Sequence, residues 1–213
     1  MCIFTGENFL LSAANLLGCC RESNCSSFGC DGGNPTAAWQ YFSETGLVSG
    51  GLYGDETSCQ PYPFPPCAHH VTTSQYHGCP DADYLSPECL VSCSSPSFGG
   101  SYSADIKKSK NAYAVQGERE IQLDIMTHGP VTASFQVYSD FYGYSRGVYQ
   151  HAGGEYVGAH SVRLVGWGVD RGLPYWIAAN SWNPTWGDGG FFKILRGEDH
   201  LGIESDVAAG LIG

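Results

Sequence analysis

Basic residues are scarce: lysine and arginine number 10 against 21 aspartates and glutamates, so the 213-residue chain carries a formal charge of -11. No basic cluster longer than Lys107-Lys108 offsets this, and a phosphate backbone would be repelled, which excludes nucleic acid as an expected partner. Long apolar runs are also missing. None approaches the roughly 18 residues needed to cross a bilayer, so no membrane span is predicted. Met1-Cys2-Ile3-Phe4-Thr5 lacks the basic start and apolar stretch of a secretory leader. Charged residues make up only 15% of the chain, yet hydrophobics reach 42% and aromatics 13%, a balance that buries a core and excludes disorder. Cysteine is absent beyond Cys93, whereas ten cysteines lie from Cys2 to Cys93. That density reads as a disulfide framework made in an oxidising compartment. Secretory chemistry without a leader leads to the expectation that a segment upstream of Met1 is missing.

Leu10-Leu11-Ser12-Ala13-Ala14-Asn15-Leu16-Leu17 places apolar residues at helical spacing behind a Ser12 cap, and Cys19-Cys20 closes the run. Asn34-Pro35-Thr36 offers a cap and a proline at the first helical position, with Gly46 where a terminal glycine is favoured. Gly50 to Gly100 is rich in Gly, Pro, Ser and Cys and reads as stapled loops. Glu118 to Thr127 predicts a further helix, stopped by Gly129-Pro130. Strands are expected over Val131 to Val137, Ser161 to Gly168, Tyr175 to Ala179 and Gly190 to Leu195. The whole reads as an α+β chain, helices first and a mostly antiparallel sheet second. A change of composition places the boundary between residues 1–96 and 97–213.

Gly158-Ala159-His160-Ser161-Val162 sets a histidine at the start of an apolar strand, and Asn180-Ser181-Trp182 closes the next strand. Paired strands would bring the two polar side chains together. A neutral amide suits an imidazole that must change charge, because its oxygen accepts one ring N–H and leaves the other nitrogen facing a nucleophile. Trp182 would shield that bond. Taken alone, such a pair more often marks a satisfied core histidine beside a turn asparagine.

The surroundings change the balance. Arg163-Leu164-Val165-Gly166-Trp167-Gly168, Pro174-Tyr175-Trp176, Asn180-Ser181-Trp182-Asn183 and Trp186-Gly187-Asp188-Gly189-Gly190-Phe191-Phe192-Lys193-Ile194 follow His160 in an ordered series. This series resembles the papain-like cysteine peptidases. Cys30-Asp31-Gly32-Gly33-Asn34-Pro35, Pro66-Cys67-Ala68-His69-His70 and Gly202-Ile203-Glu204-Ser205-Asp206 are similar to the cathepsin B type of that family. The resemblance covers nearly the whole chain. It implies a two-lobed fold with a helical left lobe and an antiparallel, β-barrel-like right lobe, here without the N-terminal segment and central helix. It also implies hydrolysis of peptide bonds by a Cys-His-Asn mechanism in which His160 and Asn180 fill two of the three roles. No cofactor or metal is implied. The expected partners are peptide or protein substrates and a separate N-terminal light chain or propeptide, in a lysosomal or extracellular setting.

The family's nucleophile lies in a Cys-Gly-Ser/Ala-Cys-Trp/Tyr run, which this sequence does not contain. Cys25, in Asn24-Cys25-Ser26, is a weak substitute, and Asn24 also heads a glycosylation sequon. The alternative function is a catalytically inactive homologue that binds rather than cleaves. The resemblance pairs Cys19 with Cys89, Cys20 with Cys25, Cys59 with Cys93 and Cys67 with Cys79, leaving Cys2 and Cys30. A metal held by Cys67, His69, His70 and Cys79 is the lesser reading of that cluster. The resemblance further implies that Gly32, Gly33, Ala159, Trp182 and Asp206 contact substrate. His69 and His70 would bind a substrate's terminal carboxylate from a loop obstructing the cleft, favouring release of C-terminal dipeptides. Gln75 and Thr185 replace an Arg–Asp pair that pins this loop in the family, so a more mobile loop and more internal cleavage are expected.

Overall fold

A computed structural model of the protein describes residues 9–21, 25–80, 82 and 84–212. They fall into two compact units, one within Met1–Pro65, Pro80–Tyr113 and Gly210–Gly213, the other within Pro66–Cys79 and Ala114–Ala209. Residues 66–79 thus pack with the sheet-bearing unit and 97–113 with the helical one, whereas composition places a single cut after residue 96.

In the first unit, helix α1 (Ala13–Cys19) begins where the Ser12 hydroxyl accepts the Asn15 N–H at 3.0 Å. Helix α2 (Pro35–Glu44) is capped by Asn34, whose Oδ1 accepts the Ala37 N–H at 2.9 Å. Both caps satisfy N–H groups that have no partner inside the helix. After α2 the chain reverses at Gly46, with φ 93°; an added Cβ would lie 2.5 Å from Ile106 Cγ2, so glycine is required there. Cys19, Cys20, Cys25, Tyr41, Phe42 and Leu47 form the buried cluster. The disulfides Cys19–Cys89, Cys20–Cys25 and Cys59–Cys93 fasten the surrounding loops. A short helix α3 (Tyr102–Asp105) follows these loops.

The second unit is built on an open sheet of strands β1 (Tyr113–Val115), β2 (Val131–Tyr138), β3 (Val148–Tyr149), β4 (Tyr156–Asp170), β5 (Leu173–Ala179), β6 (Phe191–Leu195) and β7 (Val207–Ala209). Their order is β1-β7-β2-β4-β5-β6-β3. Pairing is antiparallel along β7-β2-β4-β5-β6 and parallel between β3 and β6. The helix α4 (Glu118–His128) buries Ile121. Phe135, Phe141, Leu164, Trp176, Trp186, Phe192 and Ile194 make the core. Trp176 donates its indole N–H to Glu204 at 2.9 Å, and that carboxylate also accepts the backbone N–H groups of Gly197 and Asp199. A buried carboxylate is tolerated because its oxygens are met by donors.

Candidate active site

His160 sits inside β4, not at its start, because Tyr156, Gly158 and Ala159 also pair with β2; the register places it opposite Phe135. Strand β5 ends at Ala179, and Asn180 follows with its backbone N–H bonded to Gly190 O at 2.9 Å. The next-door strands therefore deliver His160 Nε2 to Asn180 Oδ1 at 2.8 Å. That oxygen also accepts the Ser181 backbone N–H at 2.8 Å, which identifies it as oxygen and not nitrogen. An amide oxygen only accepts, so Nε2 carries the ring proton and Nδ1 of the neutral imidazole is left with a bare lone pair. Burial holds this histidine below its ordinary value of 6.5; the Asn180 bond opposes that shift and the charge of His69 adds to it. Burial thus favours the neutral form of the imidazole.

Trp182 lies nearly parallel to the His160 ring, with centroids 5.2 Å apart. It is itself held by Phe141 at 5.4 Å and Trp186 at 5.0 Å. Phe141 and Trp186 are fully buried, so the half-buried Trp182 wall is backed by the core. Phe135 approaches the other side of His160 edge-on at 6.1 Å.

The loop from Cys67 to Cys79 is closed by a disulfide between its ends and by the bond from Ala68 N to His77 O at 2.7 Å. His69 faces Trp182 at 6.4 Å, and His70 meets its edge at 4.8 Å. Burial lowers the basicity of His69; burial and the neighbouring His69 lower that of His70. The sulfurs of Cys67 and Cys79, together with a nitrogen of His69, lie within 4.8 Å of one another. Bonded to each other, the two sulfurs are not thiolate donors, so the lesser metal reading fails for the oxidised loop. Gln75 is exposed, and its side-chain amide donates to the neighbouring Tyr76 hydroxyl at 3.3 Å. Thr185 Oγ1 is buried with no hydrogen-bond partner among the described residues.

Other predicted residues are distributed more widely. Ala159 pairs with Gln136 beside His160. Asp206 is exposed, and its backbone carbonyl accepts the Ser134 N–H at 2.9 Å. In the first unit, Gly32 ends a 3-10 turn with φ 114°, and a Cβ on Gly33 would meet Ser27 Oγ at 2.5 Å. Cys25 is bonded to Cys20 and buried, so it cannot ionise and attack; this removes it as a substitute nucleophile. Among the described residues Cys30 is free, and it is exposed. Cys2 and Asn24 lie outside the described residues. Sequence reasoning missed Phe141, Tyr142 and Asn183. Only Asn183 carried a signal, since asparagine tolerates the left-handed backbone it adopts at φ 67°.

A sequence profile for the papain family cysteine protease matches residues 1–211, and the chain belongs to that family. It is 48% identical over 202 residues to Cathepsin B-like cysteine proteinase 6 of Caenorhabditis elegans, covering 94% of this chain and 52% of that protein. To the Cathepsin B-like cysteine proteinase of Schistosoma japonicum it is 46% identical over 208 residues, covering 97% and 59%. Among solved structures, proCathepsin B S9 from Trypanosoma congolense superposes with a TM-score of 0.82 at 34% identity, covering 100% of this chain and 64% of that one. Digestive procathepsin L 3 of Tenebrio molitor larval midgut shares the fold, with a TM-score of 0.69 at 22% identity over 99% of this chain and 58% of that one. The chain therefore has the papain-like fold and spans little more than half the length of these curated relatives.

Proposed function

We propose that the protein is a cathepsin B-like cysteine peptidase, with His160 as its acid–base catalyst and Asn180 as the residue that orients it. The observation that carries this reading is the 2.8 Å contact between His160 Nε2 and Asn180 Oδ1 under the parallel Trp182 ring. In a thiol mechanism, Nδ1 takes the proton of a cysteine thiol, and the thiolate attacks the scissile carbonyl carbon. The imidazolium then protonates the departing amine as the C–N bond breaks, and water hydrolyses the thioester. The 213 residues contain no cysteine in the family's nucleophile run, so in this reading they supply the base and its partner.

In the second unit Ala159 and Trp182 would border the substrate and Asp206 would favour an arginine side chain; in the first, Gly32 and Gly33 would pair with an extended peptide backbone. His69 and His70 would take the terminal carboxylate of a substrate losing its last two residues. Four disulfides support a lysosomal or extracellular setting. Among the described residues no helix is long and apolar enough to cross a membrane. The proCathepsin neighbour supports a propeptide as partner.

The test is hydrolysis of a fluorogenic dipeptidyl amide and an internally quenched peptide by the protein purified in full from its source. Activity should require a reduced thiol, and His160→Ala should lower kcat/KM by at least about a hundredfold. The absence of the nucleophile run favours one second reading, a non-cleaving homologue that binds peptides. Peptide binding without turnover at any pH would select it.

A further inference from the structure

We propose that Tyr142 and Asn183 are the positioning residues that dock the Cys67-to-Cys79 loop, and that they thereby set the ratio of C-terminal dipeptide release to internal cleavage. The functional half of this inference rests on the peptidase reading above; the docking half does not. The His70 ring lies flat on Tyr142, with centroids 3.8 Å apart and planes within 7°. At the base of the loop, the Asn183 side-chain amide donates to the carbonyl of Cys67. Neither anchor involves a charge pair, and none can form between Gln75 and Thr185.

Three further features make these contacts a latch. His70 is held at φ 55°, a conformation uncommon for a residue with a Cβ. Asn183 is likewise left-handed, at φ 67°, which aims its amide at the loop. The two anchors are also tied to each other: Trp186 donates its indole N–H to Tyr142 O at 3.0 Å, while the Trp186 backbone N–H bonds Asn183 O at 3.3 Å. Trp186 is fully buried, so platform and hook share one rigid support. A stack and a neutral hydrogen bond hold the loop and keep His69 and His70 beside Trp182.

Hydrogen exchange of the loop amides in the full protein tests the docking directly, using Tyr142→Leu, Tyr142→Phe and Asn183→Gly. Glycine keeps the left-handed backbone while deleting the hook, and it serves if the leucine variant does not fold. Exchange across residues 68–78 should quicken by about two- to tenfold in Tyr142→Leu and Asn183→Gly. It should remain at the wild-type rate in Tyr142→Phe, and β2 should be unchanged in all three. In the same variants the ratio of internal cleavage to dipeptide release should rise by a similar factor, with recovery in Tyr142→Phe. Loop exchange that ignores both substitutions, or that changes equally in the phenylalanine variant, would overturn the proposal. Should the protein cleave no peptide, the peptidase reading fails while the exchange data still decide the docking.

Discussion

His160 and Asp140 show how single side chains are tuned by neighbours of opposite kinds. At His160 the partner is neutral and the surroundings are apolar, so the imidazole is held below 6.5. Its contribution to folding is fully present above the unfolded value and is lost as the pH falls through the lower folded value. At Asp140, burial pushes the carboxyl up, but the Ala152 N–H, the Tyr149 hydroxyl, His151 and the Gly153 N–H outweigh it and bring it to about 2. Its contribution is present above the ordinary 3.8 and is lost only as the pH falls through about 2. The carboxylate thus stays charged throughout the mildly acidic range. Asp140→Asn should cost about 1–3 kcal/mol of stability at pH 5, and the difference from wild type should close near pH 2, as measured by denaturant unfolding at the two pH values. A constant difference between them would show that the lost charge is not the cause.

Among the elements, those with capping chemistry were the legible ones. Ser12, Asn34-Pro35 and Gly129-Pro130 mark termini of α1, α2 and α4 to within a residue, because each supplies or removes a specific backbone bond. Asn34→Ala should therefore destabilise the protein by about 1 kcal/mol, readable as a lower thermal midpoint, whereas Asn34→Asp should be close to neutral. Strand β4 was foreseen only from Ser161 onward. Its first residues, Tyr156 to Ala159, are exposed or half-buried and show no apolar alternation; they are strand because β2 is there to pair with them. Strands β1, β3 and β7 run only two or three residues, too short for any periodicity to register. The stretch from Gly50 to Gly100 is irregular, as its composition suggests; packing and not chain order groups residues 66–79 with the sheet.

For the molecule as a whole, the histidine and asparagine were legible because motif order and strand pairing agree on bringing them together. The disulfide partners were not legible from spacing and came only with the family resemblance. Nor could the sequence disclose that aromatic core residues, Phe141 and Trp186, would fix both the Trp182 wall and the loop anchors. Those contacts join segments more than forty residues apart and leave no local pattern. At the centre of the site, the pairing of β4 with β5 lets a neutral amide dictate which nitrogen of His160 bears the proton. Nitrogen-15 NMR of the imidazole across an acid titration measures this directly, in the wild-type protein and in Asn180→Ala. The account predicts a proton on Nε2, bare Nδ1 and a midpoint below 6.5, with the tautomer preference lost in the variant. A proton on Nδ1 in the wild type, or a ring indifferent to the loss of Asn180, would contradict it.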